Sequence, residues 1–199
     1  MAEYYFDIET YSPGERPDPE NDKIITIQFQ RIYLRSGKPR EKLVILKEWE
    51  SSEEQIVKEF YNMFFADGRS VWDFIPVGFN LNFEWQVLIS KFNKYLGLKL
   101  NSKDMHYSRP HIDLKSTTVL LNGGAFRDAR LDKFTSKKSN GLVIKELYAN
   151  GKTKEIESYI KEEAEAFLDF LHKIKKHLDI LAPELTKVKE VVKIGRAHV

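Results

Sequence analysis

The feature that most narrows the fold of this chain is a pair of carboxylates inside a short apolar run near the N-terminus, Tyr4-Tyr5-Phe6-Asp7-Ile8-Glu9. Alternate side chains of an extended strand point to opposite faces, so Tyr5, Asp7 and Glu9 share one face while Tyr4, Phe6 and Ile8 share the other. In a central strand, covered on both faces, two ionised carboxylates are very costly unless a cation accompanies them. The pair by itself is equally compatible with an edge strand whose acids stand in water.

The segments that follow predict the sheet in which this strand belongs. Ile24 to Leu34 is rich in β-branched residues and ends at Ser36-Gly37-Lys38-Pro39, and Leu43 to Leu46 is a third run, giving an antiparallel set. Ser51 and Ser52 precede Glu53 and Glu54, and Ile56, Val57, Phe60 and Phe64 recur at helical spacing, which predicts a capped amphipathic helix ending by Asp67-Gly68. Ile75 to Phe79 reads as a strand. Asn80 to Asn82 lead from it into a helix with the stripe Trp85, Leu88, Ile89, Phe92 and Leu96, stopped by Gly97. Strand followed by helix implies a parallel unit. Short helical pieces are expected around Lys115 to Leu121 and Arg130 to Phe134, then a loop at Ser139-Asn140-Gly141. A long helix from about Glu155 to His177 comes next, and Pro183 opens a final one. The expected fold class is α/β, a mixed sheet flanked by helices on both faces.

With 199 residues and 42% apolar content, one core and one domain are expected, spanning 1–193. Residues 194–199 (IGRAHV) break the charged helical pattern and read as an appended remnant. The absence of cysteine removes disulfide frameworks, thiolate zinc sites and cysteine nucleophiles. No apolar run approaches the roughly 20 residues that span a bilayer, and the N-terminus lacks a signal-peptide pattern, so the expectation is a soluble cytoplasmic protein without a membrane partner. A net charge of +2 leaves the question of a nucleic-acid partner to local charge distribution.

Two further acids fall where a carboxylate is unexpected. The long helix carries the stripe Ile156, Ile160, Phe167, Leu171 and Ile174, and the position between Ile160 and Phe167 is Glu163, with Tyr159 one turn earlier on the same side. Glu162 and Glu165 lie off the stripe. A partly exposed Glu beside a core Tyr is the plain alternative. Glu84 opens a helix at the carboxyl end of a strand, where open α/β sheets gather ligands, although an acid there also complements the helix dipole. Four carboxylates from three segments could converge on two divalent ions. An all-oxygen donor set suits Mg²⁺ or Mn²⁺, and a pair of such ions hydrolyses phosphodiesters.

These segments resemble the DEDD exonuclease superfamily, most closely the tyrosine subclass of 3′-5′ exonuclease domains found in family B DNA polymerases and their stand-alone relatives. The resemblance runs through Phe6-Asp7-Ile8-Glu9-Thr10, Pro17-Asp18-Pro19-Glu20-Asn21-Asp22-Lys23-Ile24-Ile25, Gly78 to Trp85, His111 to Leu114, Leu131 to Phe134, and the Tyr159 helix. It implies a ribonuclease H-like fold and a metal-dependent 3′-5′ exonuclease acting on single-stranded DNA or RNA. It further implies metal ligands Asp7, Glu9, Glu84 and Glu163, with Tyr159 orienting the attacking water. Thr10 and Asn80 correspond to positions that hold the terminal nucleotide, and Phe83 either packs against a base or fills the core. Arg127, Arg130 and Lys133, with Lys137 and Lys138, form a basic segment that reads equally as a phosphate track or a solvated face. Asp113 is placed as a support for the site. The family has Asp where this chain has Glu84 and Glu163, one methylene longer and about 1.5 Å further in reach. A rival expectation is therefore a nucleic-acid or partner-binding module of the same fold with weakened or lost catalysis.

Overall fold

The computed structural model describes the backbone of residues 1–14, 16–135 and 142–196. A mixed sheet of six strands is built from β1 (Glu3–Tyr11), β2 (Lys23–Tyr33), β3 (Lys38–Pro39), β4 (Val44–Lys47), β5 (Ile75–Gly78) and β6 (Ile112–Asp113). The helices are α1 (Glu53–Phe64), α2 (Leu81–Leu96), α3 (Lys115–Leu121), α4 (Leu131–Phe134), α5 (Leu142–Ala149) and α6 (Thr153–Arg196). β1 is central: β2 pairs with it antiparallel on one side and β5 parallel on the other, and β6 continues the parallel side. The edge beside β2 is divided, with β4 pairing its first half and β3 its second. The antiparallel set, the parallel unit and the mixed sheet follow the sequence expectation, with β3 recruited from a stretch read as the end of a loop.

Alternation along β1 assigns its two faces. Phe6 and Ile8 join Phe29, Phe60, Phe74, Trp85 and Phe92 in a core between the sheet and helices α1 and α2. Tyr5 lies on the other face with Ile32, Val77, Ala164, Phe167 and Leu171 under α6. A third cluster, Ile25 with Ile144, Ile156, Tyr159 and Ile160, fixes α5 and the first turns of α6 to β2. With both faces covered, β1 is the buried central strand and the edge-strand alternative for Asp7 and Glu9 is excluded.

Polar contacts pin the helices at defined registers. Ser52 caps α1 by accepting from the Gln55 amide at 3.1 Å. Glu53 accepts from the Ile24 amide (2.8 Å) and from the Tyr95 hydroxyl, and pairs with the buried Lys91 at 3.2 Å, joining α1, β2 and α2. The Pro-Asp-Pro-Glu-Asn-Asp stretch is a self-bonded turn in which Asp18 accepts from the Glu20 amide and Asp22 accepts from the Asp18 amide.

Two expectations are corrected. α5 was not anticipated; its Ile144 is buried and its Tyr148 hydroxyl donates to Glu48 while accepting from Lys23, which anchors the helix. Pro183 does not open a separate helix: α6 runs from Thr153 to Arg196 through it. The loop expected at Ser139 to Gly141 lies outside the described residues. No helix among the described residues is long and apolar enough to cross a membrane.

Candidate metal centre

Asp7 and Glu9 project from β1 toward α6, and Glu163 comes down from the helix to meet them. One carboxylate oxygen of each lies within 4.8 Å of the others. All three are half-buried. Glu163 reaches the pair because Ile156, Ile160 and Phe167 bury the same stripe of α6 against the sheet, so the acid that interrupts the stripe has to face β1. Glu162 and Glu165 are exposed.

Asp7 is held from the neighbouring strand. Register places Gln28 directly opposite Asp7 and Thr26 opposite Glu9, so all four share a face. The Gln28 side-chain amide donates to Asp7 Oδ2 at 2.7 Å, and its carbonyl accepts from the Thr26 hydroxyl at 2.9 Å. Gln28 and Thr26 are fully buried. The Thr26 hydroxyl therefore decides which way the Gln28 amide points, and the amide fixes one oxygen of Asp7. Just past Thr26 the register slips by one residue: Thr10 pairs with Ile24, leaving Ile25 as a bulge residue packed beneath Tyr159.

The Tyr159 hydroxyl hydrogen-bonds the Glu163 carboxylate. Burial first, and then the charges of Glu9 and Glu163, push its pKa far above the ordinary tyrosine value. It is a protonated phenol throughout the working pH range. Tyr5 lies on the same face, its hydroxyl buried without a hydrogen-bond partner among the described residues, and burial, then Asp7 and Glu163, raise its pKa too.

Glu84 sits beside this triad and not within it. It is 4% exposed, and its Oε2 has no hydrogen-bond partner among the described residues. Burial, then the negative charge of Asp7, pushes its pKa well above the carboxylate range. The turn that delivers it is held by Asp113, which accepts from the amides of Asn80 (2.8 Å), Leu81 (3.0 Å) and Lys115 (2.8 Å). Asn80 adopts a left-handed φ of 66° and supplies no side-chain cap, so the carboxylate from β6 caps α2 in its place. Close approach is the second requirement of this turn. A Cβ on Gly78 would lie 2.7 Å from the Phe6 carbonyl oxygen and 2.5 Å from Leu81 Cδ2.

Three hard carboxylates in mutual reach, with an orphaned buried carboxylate oxygen next to them, fit a divalent cation of the Mg²⁺ or Mn²⁺ type.

The remaining residues singled out from the sequence lie around this centre. Thr10 is partly buried at the bulge and Asn80 is exposed at the α2 turn. Phe83 is partly buried against the core beneath α1 and α2, which favours its filling role. Arg127, Arg130 and Lys133 are exposed; Arg130 pairs with Asp132 at 3.2 Å and Arg127 faces Asp128 at 4.0 Å. Lys137 and Lys138 lie outside the described residues. Sequence reading overlooked Gln28 and Thr26. Their signal was the alternation of polar Thr26, Gln28 and Gln30 with apolar residues along β2, with Thr26 and Gln28 in step with the acids once β1 and β2 are paired.

No family model and no curated protein matches the sequence. Among solved structures, the family B DNA polymerase of the hyperthermophilic archaeon Pyrobaculum calidifontis is 16% identical with a TM-score of 0.51, covering 91% of this chain and 24% of the polymerase. Exonuclease I of Methylocaldum szegediense is 14% identical with a TM-score of 0.43, covering 59% of this chain and 29% of that one. An apo Exonuclease I is 10% identical with a TM-score of 0.45, over 60% and 30% respectively. The chain thus spans less than a third of the length of each. The likeness to the polymerase concerns the fold alone: this chain has a ribonuclease H-like mixed sheet flanked by helices.

Proposed function

We propose that the protein is a metal-dependent 3′-5′ exonuclease that hydrolyses phosphodiester bonds at the 3′ ends of single-stranded nucleic acid. The observation that carries this reading is the convergence of Asp7, Glu9 and Glu163, from two separate elements, under a buried tyrosine. Asp7, Glu9 and Glu163 would hold the divalent ions, with Glu84 as the adjoining fourth carboxylate. Bound Mg²⁺ or Mn²⁺ supplies water activation and charge neutralisation at the phosphate. Gln28 keeps one oxygen of Asp7 occupied, so the other is directed to the metal side. Tyr159 is held as a protonated phenol, so no phenolate is present to serve as a base. Its hydroxyl instead holds Glu163 and orients the attacking water by hydrogen bonding. Exposed Asn80 at the α2 turn and partly buried Thr10 at the bulge are assigned to the terminal nucleotide, with Arg127, Arg130 and Lys133 on its phosphates.

A second reading, a nucleic-acid-binding module without turnover, is favoured by one observation: Glu84 stands outside the triad, buried and biased toward its neutral form. Oligonucleotides of DNA and RNA labelled at the 5′ end and incubated with Mg²⁺ or Mn²⁺ separate the two. The exonuclease reading predicts stepwise shortening that chelator and Asp7→Ala abolish. Binding with no shortening under either metal refutes it in favour of the second, and internal cuts contradict both.

A further inference from the structure

Three buried nitrogen atoms away from the acidic triad have no hydrogen-bond partner among the described residues: Trp85 Nε1, His106 Nδ1 and Arg109 Nη1. Ring contacts place them in one cluster. The Arg109 guanidinium lies over the Phe65 ring at 4.4 Å, Phe65 meets Trp85 edge-on at 6.5 Å, Trp85 meets His111 at 6.3 Å, and His111 stands 4.8 Å from His106. His111 Nδ1 donates to the Arg109 carbonyl at 3.2 Å and closes the circuit. Trp85 is 1% exposed, whereas His106, Arg109 and His111 are partly exposed, so the cluster is rooted in the core and reachable from solvent. Trp85 packs on Phe6 at 6.4 Å, and Phe6 points away from the face of β1 that carries Asp7 and Glu9.

The donor chemistry defines the ligand. An indole N–H and a guanidinium can only donate, so whatever completes them is an acceptor. A guanidinium with a buried nitrogen also calls for negative charge. No carboxylate supplies it: burial lowers the Arg109 pKa, and the group that counters this is the Tyr61 hydroxyl. The acids closest in sequence are engaged elsewhere, Asp104 by the Asn101 amide at 2.8 Å and Asp113 by the amides of Asn80, Leu81 and Lys115. The face of Phe65 offsets only part of the charge. Donors delivered by three segments, α2, the helical turn Lys103–Tyr107 and the loop before β6, suit an anion that offers several oxygens.

We infer that Trp85, His106 and Arg109 form a binding site for a phosphate-type oxyanion, taken either as the free ion or as a phosphate monoester, separate from the metal centre. The site does not depend on the exonuclease reading, because its residues belong to another face of the sheet and its ligand is held by nitrogen donors alone.

The test is calorimetric titration of the full chain with inorganic phosphate, at fixed ionic strength and in chelator, which keeps any metal-held phosphate out of the signal. The native chain should bind phosphate, and its melting temperature should rise as phosphate is added. Trp85→Phe keeps the packing and removes the N–H, and Arg109→Gln removes the charge; each should weaken phosphate binding about tenfold or more, as the loss of a charge-assisted hydrogen bond predicts. Without phosphate, Arg109→Gln should melt no lower than the native chain, since the uncompensated cation is gone. Adenosine monophosphate binding more tightly than phosphate identifies a nucleotide as the source of the group, and equal affinity identifies the free ion; both support the site. Absence of phosphate binding, or acetate or chloride bound as tightly as phosphate, overturns it. So does a lower melting temperature in Arg109→Gln with phosphate affinity unchanged, which makes Arg109 a packing residue.

Discussion

Replacing Gln28 by Leu removes a neutral donor that fixes Asp7 while nearly preserving volume. Gln28 is fully buried and donates to a carboxylate at 2.7 Å, and a hydrogen bond to a charged group contributes about 1.5–3 kcal/mol. The substitution also strands the buried Thr26 hydroxyl, at a cost of about 1–3 kcal/mol. Together these give roughly 2.5–6 kcal/mol, and with about 2–4 °C per kcal/mol for a chain of this length the melting temperature should fall by about 5–24 °C. Thr26→Val in the same background removes the stranded hydroxyl, so the double variant should be more stable than the sum of the single losses by about 1 kcal/mol. Metal binding should behave differently. Gln28→Leu and the double variant should both bind Mn²⁺ about 10–100-fold more weakly by calorimetry, because the amide that orients Asp7 is gone in each. If Gln28→Leu is destabilised but binds Mn²⁺ as the native chain does, Gln28 only fills space and the positioning argument is wrong.

Three other perturbations probe the same construction. Gly78→Ala forces a methyl against the Phe6 carbonyl; stability should fall by roughly 1–3 kcal/mol in thermal melting, with Mn²⁺ binding weakening as β1 and β5 part. Asp113→Ala leaves three amides without their acceptor, and hydrogen exchange at Asn80 and Leu81 should quicken, with Asp113→Asn intermediate. Burial raises the Glu84 pKa in the folded state above its unfolded value, so the folded chain binds the extra proton and stability is lost as pH rises from the unfolded carboxylate range through the folded pKa. In chelator, Glu84→Gln should therefore melt above the native chain at neutral pH, with the difference shrinking toward pH 4; a difference independent of pH would refute the buried-acid account.

What could be read in the sequence was whatever depends on local period. Two-residue alternation placed Asp7 and Glu9 together, and 3.6-residue periodicity exposed Glu163 as the acid on a buried stripe. The residues that escaped depend on pairing between distant segments. Gln28 meets Asp7 only through the β1–β2 register, and the bulge at Ile25 that sets Tyr159 cannot be seen from either strand alone. Asp113 caps a helix 32 residues away in sequence from its β6 position, a partnership that no spacing rule anticipates. α5 was missed because its eight residues are bound by tertiary contacts of Ile144 and Tyr148, and Pro183 misled because the proline preference for helix starts does not forbid a helix interior.

The central claim is that Asp7, Glu9 and Glu163 form a divalent metal centre. The most direct measurement is a crystal soaked with Mn²⁺ and recorded at a wavelength that reveals manganese by anomalous scattering. The account predicts an anomalous peak within bonding distance of all three carboxylates, lost in Asp7→Ala crystals that keep the native fold. Well-ordered carboxylates with no manganese among them at saturating Mn²⁺ would contradict it.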